Sequence, residues 1–250
     1  MHKVRIIPTL LYKDNLVKGK MFKSWRVVGN LYQMIKLYNL REVDELIFLD
    51  IDANQKNRIQ FDLIDEFADD CFVPLTIGGG VKSLQDIEQL LKVGADKVCI
   101  NSTAVNDLDF VKKAVDKYGS QCIVISVDYK INKDKMTEVF TSSGNKSTNL
   151  SLEEHIENLD EVNPGEIILT SIDHDGMMNG YDIEKIKKIS NSSSIPIIAS
   201  GGAGCANDFY QLIKGTNIKA LSAASIFHFT EITPLDVKKF LKTKNINVRL

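Results

Sequence analysis

An internal repeat limits the fold of this chain of 250 residues more than any other feature of its sequence. Residues 73–80 read VPLTIGGG and residues 195–202 read IPIIASGG, so an apolar segment that ends in glycines occurs once in each half. Each copy lies about 30 residues after an apolar segment that opens with a glutamate, at Glu45 or Glu166. Repeats of this length indicate one supersecondary unit that is built twice. The predicted half-barrels are residues 1–120 and 121–250.

Short β-branched segments alternate with longer amphipathic segments from one end of the chain to the other. In residues 83–91, for example, Leu84, Ile87 and Leu91 recur at helical spacing. Eight strands that are each followed by a helix favour a parallel sheet closed into a single (βα)₈ TIM barrel over residues 1–250, rather than an open doubly wound sheet. The predicted strands are residues 5–11, 45–50, 73–77, 97–100, 122–128, 166–171, 195–200 and 220–223.

The composition excludes several classes of protein. The net charge is −2, with acidic and basic residues interleaved, so no broad basic surface for nucleic acid or an anionic membrane is expected. No apolar segment reaches ~18 residues and the N-terminus has no signal-peptide core, which predicts a cytoplasmic protein. The four cysteines lie far apart without the spacing of a metal site or a disulfide framework, so neither a metal nor a cofactor is expected.

The two glycine segments predict two phosphate sites. Each follows an apolar strand and precedes a helix, where exposed backbone N–H groups supply donors and positive potential for an anion. Asn101 with Ser102, and Ala224 with Ser225, lie at the ends of the following strands and complete each site. Asp175 and Gly176 either add a donor to the second site or form an ordinary Asp-Gly turn. Because matching sites occur in both halves, the sequence predicts a ligand that spans the barrel mouth with a phosphate at each end.

Two segments, residues 12–30 and 129–150, are longer than barrel connections need to be. Both follow the first strand of a predicted half, and therefore lie over the C-terminal mouth, where barrels place their sites. They are expected to be long loops that act as mobile covers of the substrate. The alternative is that they are tolerated surface insertions.

The carboxylates of the two halves do not match. Aligning residues 11–15 with 128–132 places Leu11 where the second half has Asp128. Asp128, at the end of the fifth strand, is an acid/base candidate or a cap for the following loop. Asp50 is positioned to orient substrate hydroxyls. His174 and His228 have no partner nearby in sequence and are more readily explained as surface or packing residues.

Four charged residues open apolar strands, where they would lie at the floor of the barrel opposite the site. Two are cations and two are anions, so they can pair across the axis as a closed layer. From the residues alone, such a ring is expected to plug and orient the barrel bottom. The four residues are Arg5, Glu45, Lys97 and Glu166.

Taken together, these segments resemble the cyclase subunit of imidazole glycerol phosphate synthase, the HisF family, and more weakly the sister isomerase of histidine biosynthesis. The resemblance covers essentially the whole chain. It implies that ammonia from a separate glutaminase on the barrel floor passes through the barrel and attacks a bis-phosphorylated ribulosyl aminoimidazole carboxamide intermediate. The matching segments are residues 5–8, 44–51, 78–80, 94–101, 119–124, 169–176, 198–204 and 223–229.

The resemblance also implies roles for individual residues. The floor ring matches the family's ammonia gate, Asp96 matches the residue that faces the glutaminase, and Lys18 and Asp128 keep their family positions. One phosphate is expected at Gly80, Asn101 and Ser102. The other is expected at Asp175, Gly176, Gly202, Ala224 and Ser225.

One position departs from the family pattern. Where the family has Cys-Leu-Asp-Val-Lys-Asp-Gly, residues 9–15 read TLLYKDN, so Leu11 replaces one of two catalytic carboxylates. A general acid or base contributes ~10²–10⁴-fold, so its loss should nearly silence the histidine-pathway cyclisation. The pattern resembles a divergent branch that delivers ammonia to a third protein, which amidates a nucleotide-linked sugar for surface polysaccharide. The alternatives are a true cyclase in which another group such as Asp14 compensates, and a non-catalytic scaffold that activates the glutaminase.

Overall fold

The computed structural model describes residues 3–132 and 136–250. The strands are β1 Arg5–Lys13, β2 Asn15–Lys20, β3 Lys23–Gly29, β4 Leu46–Asp50, β5 Leu75–Gly78, β6 Lys97–Ile100, β7 Ile123–Ile131, β8 Thr137–Thr141, β9 Lys146–Ser151, β10 Glu166–Ser171, β11 Ile197–Ser200 and β12 Ala220–Ala223. The helices are α1 Leu31–Leu40, α2 Ala53–Lys56, α3 Phe61–Ala68, α4 Leu84–Lys92, α5 Ser102–Asn106, α6 Leu108–Tyr118, α7 Leu152–Val162, α8 Ile183–Ser192, α9 Ala206–Gly215, α10 Ser225–Phe229 and α11 Pro234–Thr243.

Within the described residues, eight parallel strands close into a barrel in the order β1-β4-β5-β6-β7-β10-β11-β12, and β12 pairs with β1. Each barrel strand is followed along the chain by one or two helices. The prediction of a single (βα)₈ TIM barrel is therefore confirmed. All eight predicted strands are present with small shifts at their ends, whereas the boundary between halves at residue 120 stays a prediction.

The helices form where the sequence supplies an apolar stripe and a cap. Ser83 accepts the backbone N–H of Asp86, and the Asp86 carboxylate accepts the N–H of Ser83, so α4 begins with a capping box. Its buried face consists of Ile87 and Leu90, which pack on the barrel. No helix among the described residues has the length and apolar character needed to cross a membrane.

The two segments predicted to be loops are β-hairpins, and this prediction was wrong. The first hairpin is β2 and β3, which continue β1 in antiparallel pairing. The second is β8 and β9, which continue β7 in the same way. The first turn is hard to recognise because Met21 and Phe22 occupy it at φ 50° and 58°, where Asn-Gly is the usual pair. Both hairpins stand at the mouth, as the sequence predicts.

The barrel interior is layered because alternate residues of each strand point inward. The charged residues at the strand starts form the floor, and an apolar layer lies above them. Above that layer, at the C-terminal ends, the inward side chains become mostly polar, which creates a place for a site. The apolar layer consists of Ile7, Ile47, Cys99, Val124, Ile168, Ile198 and Ala220.

Candidate active site at the barrel mouth

A large cleft lies at the mouth of the barrel, with about 1230 Å³ of empty space including its opening. The C-terminal ends of the barrel strands and both hairpins line it. All residues predicted to bind substrate or phosphate, together with Asp128, reach this cleft, although their roles stay predictions. They are Lys18, Asp50, Gly80, Asn101, Ser102, Asp128, Asp175, Gly176, Gly202, Ala224 and Ser225.

Asp128 is buried at the end of the barrel section of β7 and is held by neighbouring polar groups. Asn101 donates from Nδ2 to its Oδ2 at 2.8 Å, and Ser126 donates from Oγ to its Oδ1 at 3.3 Å. Burial raises the pKa of Asp128 to about 7, although the hydrogen bonds from Asn101 and Ser126 oppose the shift. A carboxyl group that titrates near neutral pH can both accept and donate a proton, which suits general acid/base chemistry.

Leu11 faces the same cleft from the other side of the barrel. Its strand β1 and the strand of Asp128, β7, are the first and fifth of eight in the closed order, so they lie across the axis from each other. Leu11 is aligned with Leu49 on the adjacent strand and is 9% exposed. Asp14 does not line the cleft, because it lies in the exposed turn after β1 and pairs with Lys56 at 2.6 Å.

The glycine segments have a backbone path that only glycine fits. Gly79 has φ +119°, and a Cβ there would lie 2.3 Å from the carbonyl oxygen of Asp50. Gly202 has φ +113°, and a Cβ there would lie 2.1 Å from the carbonyl oxygen of Gly180. At both places the backbone approaches so closely that no side chain fits, and both glycines line the cleft.

Two buried polar atoms in the cleft lack a partner among the described residues. They are Oγ of Ser225, at the start of α10, and Oδ1 of Asn101. Leaving such an atom unpaired costs about 1–3 kcal/mol, so native structures normally satisfy it. The Ser225 hydroxyl is therefore available to a ligand oxygen, and the Asn101 carbonyl to a ligand N–H or O–H.

Lys18 joins the first hairpin to the second half of the barrel. It is 2% exposed, and its Nζ donates to both carboxylate oxygens of Asp175 at 2.7 and 2.6 Å. Beside this ion pair, the N–H of Met21 donates to the carbonyl of Asp175, and Gly176 lies against the backbone of Gly19. The first hairpin thus crosses the mouth and contacts the second predicted phosphate site.

Asp50 lines the cleft and also accepts hydrogen bonds from backbone N–H groups at the start of α2. Its Oδ1 accepts the N–H groups of Asp52 and Ala53 at 3.1 Å each, and its Oδ2 accepts from Gln60 at 2.9 Å. Burial raises the pKa of Asp50, while these hydrogen bonds oppose the rise. Because the carboxylate already serves three donors, its capacity to bind a ligand hydroxyl is smaller than the sequence suggests.

Two histidines, His174 and His228, were considered as acid/base candidates in the sequence, but they do not line the cleft. His174 shares a hydrogen bond of 2.8 Å between its Nδ1 and the hydroxyl of Ser171. His228 is largely buried, and burial lowers its pKa to about 4. Neither lines the cleft, which agrees with the packing interpretation.

The four charged strand starts form a closed ring at the floor. Arg5 pairs with Glu45 at 2.5 Å and with Glu166, and Lys97 pairs with Glu45 at 3.0 Å and with Glu166 at 2.6 Å. Burial alone would raise the pKa of Glu166, but hydrogen bonds and charge from Arg5 and Lys97 outweigh it and lower that pKa. Each anion therefore contacts both cations, and the ring spans the base of the barrel.

Asp96 lies at the floor beside the ring and is exposed. Its Oδ2 accepts the N–H of Leu75 at 2.8 Å, so the side chain is fixed at the start of β5. The position is accessible to a protein that approaches the floor. Whether Asp96 contacts a partner stays a prediction.

Sequence reasoning missed several lining residues. Ser126 and Thr170 lie inside apolar strands and line the cleft. Their position was predictable, because Ser126 is two residues from Asp128 and Thr170 is two residues from Ile168, and residues at this spacing point to the same side of a strand. Trp25 comes from the first hairpin and Ser142 from the second, and no local signal placed them in the cleft. Among residues 3–132 and 136–250, no group of three or more His, Cys, Asp or Glu could hold a metal ion.

The raised pKa of Asp128 predicts a cost to stability. A carboxyl whose folded pKa lies above its unfolded value stabilises the fold fully below the unfolded pKa, and this contribution is lost as the pH rises through about 7. Asp128→Asn should therefore be more stable than the parent at pH 8, by on the order of 1–3 kcal/mol. At pH 4 the two should differ little.

Urea unfolding of the two proteins at both pH values measures this difference. Asp14→Asn serves as the control, because Asp14 is exposed and should give no gain at pH 8. A stability difference for Asp128→Asn that is the same at both pH values would show that ionisation of a buried carboxyl is not its cause.

The closed (βα)₈ barrel with a cleft at its C-terminal mouth places the chain in the class of (βα)₈-barrel proteins, in which enzymes carry their sites at this end. The histidine biosynthesis protein family matches the chain over residues 5–233. Subunit HisF of imidazole glycerol phosphate synthase from Clostridium botulinum is 43% identical over 253 residues and covers 100% of both chains. A protein described as subunit hisF2 of that synthase from Campylobacter jejuni is 44% identical over 251 residues, again covering 100% of both. Subunit HisF from Dictyoglomus thermophilum is 43% identical over 248 residues and covers 98% of both. The chain belongs to the histidine biosynthesis protein family, as a HisF-like cyclase subunit of imidazole glycerol phosphate synthase.

Proposed function

We propose that this chain conducts ammonia from a glutaminase docked on the barrel floor to the cleft at the mouth, and that the ammonia serves the amidation of a sugar by a further enzyme. In this proposal the histidine-pathway cyclisation is lost. The observation that carries the proposal is Leu11: the cleft has Asp128 on one side of the axis and an aliphatic side chain on the other.

The arrangement of the remaining carboxylates supports the loss of cyclisation. A two-carboxylate mechanism needs one proton donor and one acceptor on opposite sides of the ligand. Asp14 points away into a surface ion pair with Lys56, and Asp50 already accepts three hydrogen bonds. Asp175 is held by Lys18. No carboxylate among the described residues is placed to act opposite Asp128.

The floor supports the ammonia-conducting part of the proposal. The ring of Arg5, Glu45, Lys97 and Glu166 is complete, so the resemblance to the family's gate extends to every one of its residues. Lys97 opens β6 and Asn101 directly follows its last residue, with Cys99 between them on the same inward side. β6 and the residue that follows it thus lead from the ring to the cleft, where the unpaired Oδ1 of Asn101 can accept a hydrogen bond from ammonia.

A second candidate function is the histidine-pathway cyclase itself. The observation that favours it is the environment of Asp128, whose pKa of about 7 is suited to proton transfer without help from a second carboxylate. Retention of the predicted phosphate residues in one cleft agrees equally with either function.

Complementation separates the two candidates. A histidine auxotroph that lacks its cyclase is expected not to grow without histidine when it expresses this chain. Growth equal to that given by a histidine-pathway HisF would contradict the proposal. In parallel, the activity of the glutaminase partner should rise when this chain is added. Absence of stimulation would argue against the complex and the gate, whatever the outcome of complementation.

A further inference from the structure

The two hairpins meet over the cleft. Phe22, in the turn of the first hairpin, lies against Gly144 in the turn of the second, where a Cβ would come within 3.0 Å of Cδ2 of Phe22. Phe22, Ser142 and Ser143 also line the cleft, so both turns form part of its outer wall. A macromolecule that covers the mouth therefore contacts the outer surfaces of the hairpins.

Unpaired cations flank the place where the two turns meet. Lys20 and Lys23 are within two residues of Phe22, and Lys146 opens β9 directly after the second turn. All three are exposed, as is Arg26 farther along β3. None of the four side chains forms an ion pair or a hydrogen bond in the part of the chain that the structure describes.

The carboxylates beside these cations are already occupied. Asp14 pairs with Lys56 at 2.6 Å, and the Glu138 carboxylate accepts the N–H of Asn149 at 3.0 Å and the hydroxyl of Ser147. The described part of the hairpins therefore has an excess of positive charge, although the whole chain has a net charge of −2. A local excess of this kind attracts an acidic surface and steers it into register.

Exposed apolar side chains lie on the same two segments. Val27 on β3 is 67% exposed, and Met136, directly before β8, is 61% exposed. Ile131, at the end of β7, is exposed as well. Solubility and the protection of strand edges explain surface cations, but they do not explain apolar side chains that are left in water beside them. Apolar side chains with polar residues around them are typical of protein–protein interfaces.

We propose that the outer surfaces of the hairpins are the docking surface for the enzyme that receives the ammonia, and that this enzyme presents an acidic surface with apolar side chains. The inference rests on the proposed function, which brings ammonia to the cleft. Ammonia that reaches water near neutral pH takes up a proton and is no longer a nucleophile, so the enzyme that uses it must cover the mouth and exclude water. A second copy of this chain does not fit, because it would place the same unpaired cations against one another. The docking surface consists of Lys20, Lys23, Arg26, Val27, Met136 and Lys146.

Peptide probes separate the contribution of charge from that of apolar contact. Trp25 is the single tryptophan and lies between Lys23 and Arg26 in the sequence, so its fluorescence reports binding at the docking surface. A peptide of four Glu-Val repeats is expected to bind about 10-fold more tightly than one of four Lys-Val repeats. It should bind about 3-fold more tightly than octaglutamate, which lacks the apolar side chains. Equal affinities within either comparison would overturn the proposal, as would equally tight binding of an octathymidine deoxynucleotide.

Substitutions of exposed residues identify the docking surface without disturbing the core. Lys23→Glu combined with Arg26→Glu should lower the affinity for the Glu-Val peptide by about 10-fold or more, because like charges then face each other. Val27→Ser should lower it by about 3-fold. Lys214→Glu is the matched control, because Lys214 is exposed in the last turn of α9, outside the hairpins, and it should leave the affinity unchanged. Unchanged affinity in the double charge reversal would contradict the assignment.

The complete system separates this inference from the proposed function. Lys23→Glu combined with Arg26→Glu should lower glutamine-dependent amidation by the accepting enzyme about 10-fold, while amidation with an added ammonium salt persists. Stimulation of the glutaminase should be unchanged, because the hairpins lie at the opposite end of the barrel from the floor. Normal stimulation with unchanged amidation would reject the docking surface and leave ammonia conduction intact. Absence of stimulation by the parent chain would reject the proposed function itself, whatever the peptides show.

Discussion

Leu11→Asp is expected to raise ammonia-dependent cyclisation by about 10²-fold or more, since a well-placed general acid or base contributes ~10²–10⁴-fold. The new carboxylate would face Asp128 across the barrel axis, which is the arrangement that an acid and a base on opposite sides of a ligand require. Steady-state cyclisation of the bis-phosphorylated intermediate, with an ammonium salt as the ammonia source, measures the gain.

Two controls make the result specific. Leu11→Asn has nearly the same shape as the aspartate variant but cannot ionise, so it should give no gain. Leu11→Asp combined with Asp128→Asn should fall back to the level of the parent, because both carboxylates are needed. If Leu11→Asp folds normally, as judged by circular dichroism, and cyclisation does not increase, then other contacts to that substrate have also been lost. The proposal that Leu11 alone silences cyclisation would then be wrong.

Breaking the floor ring is expected to have the second large effect. Lys97→Met leaves Glu45 and Glu166 with Arg5 as the remaining cation of the ring. The free energy of unfolding should fall by roughly 1–3 kcal/mol, below the ~3–5 kcal/mol typical of a fully buried pair. The reduction follows from solvent screening, because Arg5 is 29% and Lys97 17% exposed. Transfer of ammonia from glutamine to the cleft should fall as well, while activity with external ammonium salts persists.

The control for the ring is a pair of exposed residues elsewhere on the barrel. Lys117 and Glu88 form a surface ion pair with both side chains about half exposed, so Lys117→Met should leave the free energy of unfolding nearly unchanged. A double variant, Lys97→Met with Glu45→Gln, restores the charge balance and should recover part of the lost stability. Loss of stability with fully retained transfer of glutamine-derived ammonia would show that the ring only plugs the floor.

Much of the barrel could be predicted from the sequence because local patterns carry the needed information. Period-two and helical spacing located all eight barrel strands, and the paired glycine segments located the mouth. The hairpins could not be predicted, because their turns contain Met21-Phe22 and Ser142-Ser143 at positive φ, where glycine or asparagine is expected. A strained turn is held by its surroundings, and a single sequence does not show them.

The candidate site was predictable in its residues but not in its connections. The sequence identified Asp128 and Lys18, yet the pairing of Lys18 with Asp175 depends on a hairpin that crosses the mouth. The position of Asp14 could not be predicted from the sequence either. A shift of one residue in the turn would move its side chain from the cleft to the solvent. Trp25 lines the cleft from the first hairpin, and no local signal in the sequence indicates this position.

The sequence by itself determined the repeated βα units, the glycine turns and a leucine at residue 11, where the second half has Asp128. These are properties of spacing and side-chain chemistry, which the chain carries before it folds. The tertiary structure alone decided which side chains meet. Arg5 and Glu166 are 161 residues apart and pair in the ring, and Leu11 faces Asp128 across the axis. The physical reason is closure: the pairing of β12 with β1 converts positions along the chain into positions around one axis, and only that geometry makes distant residues neighbours.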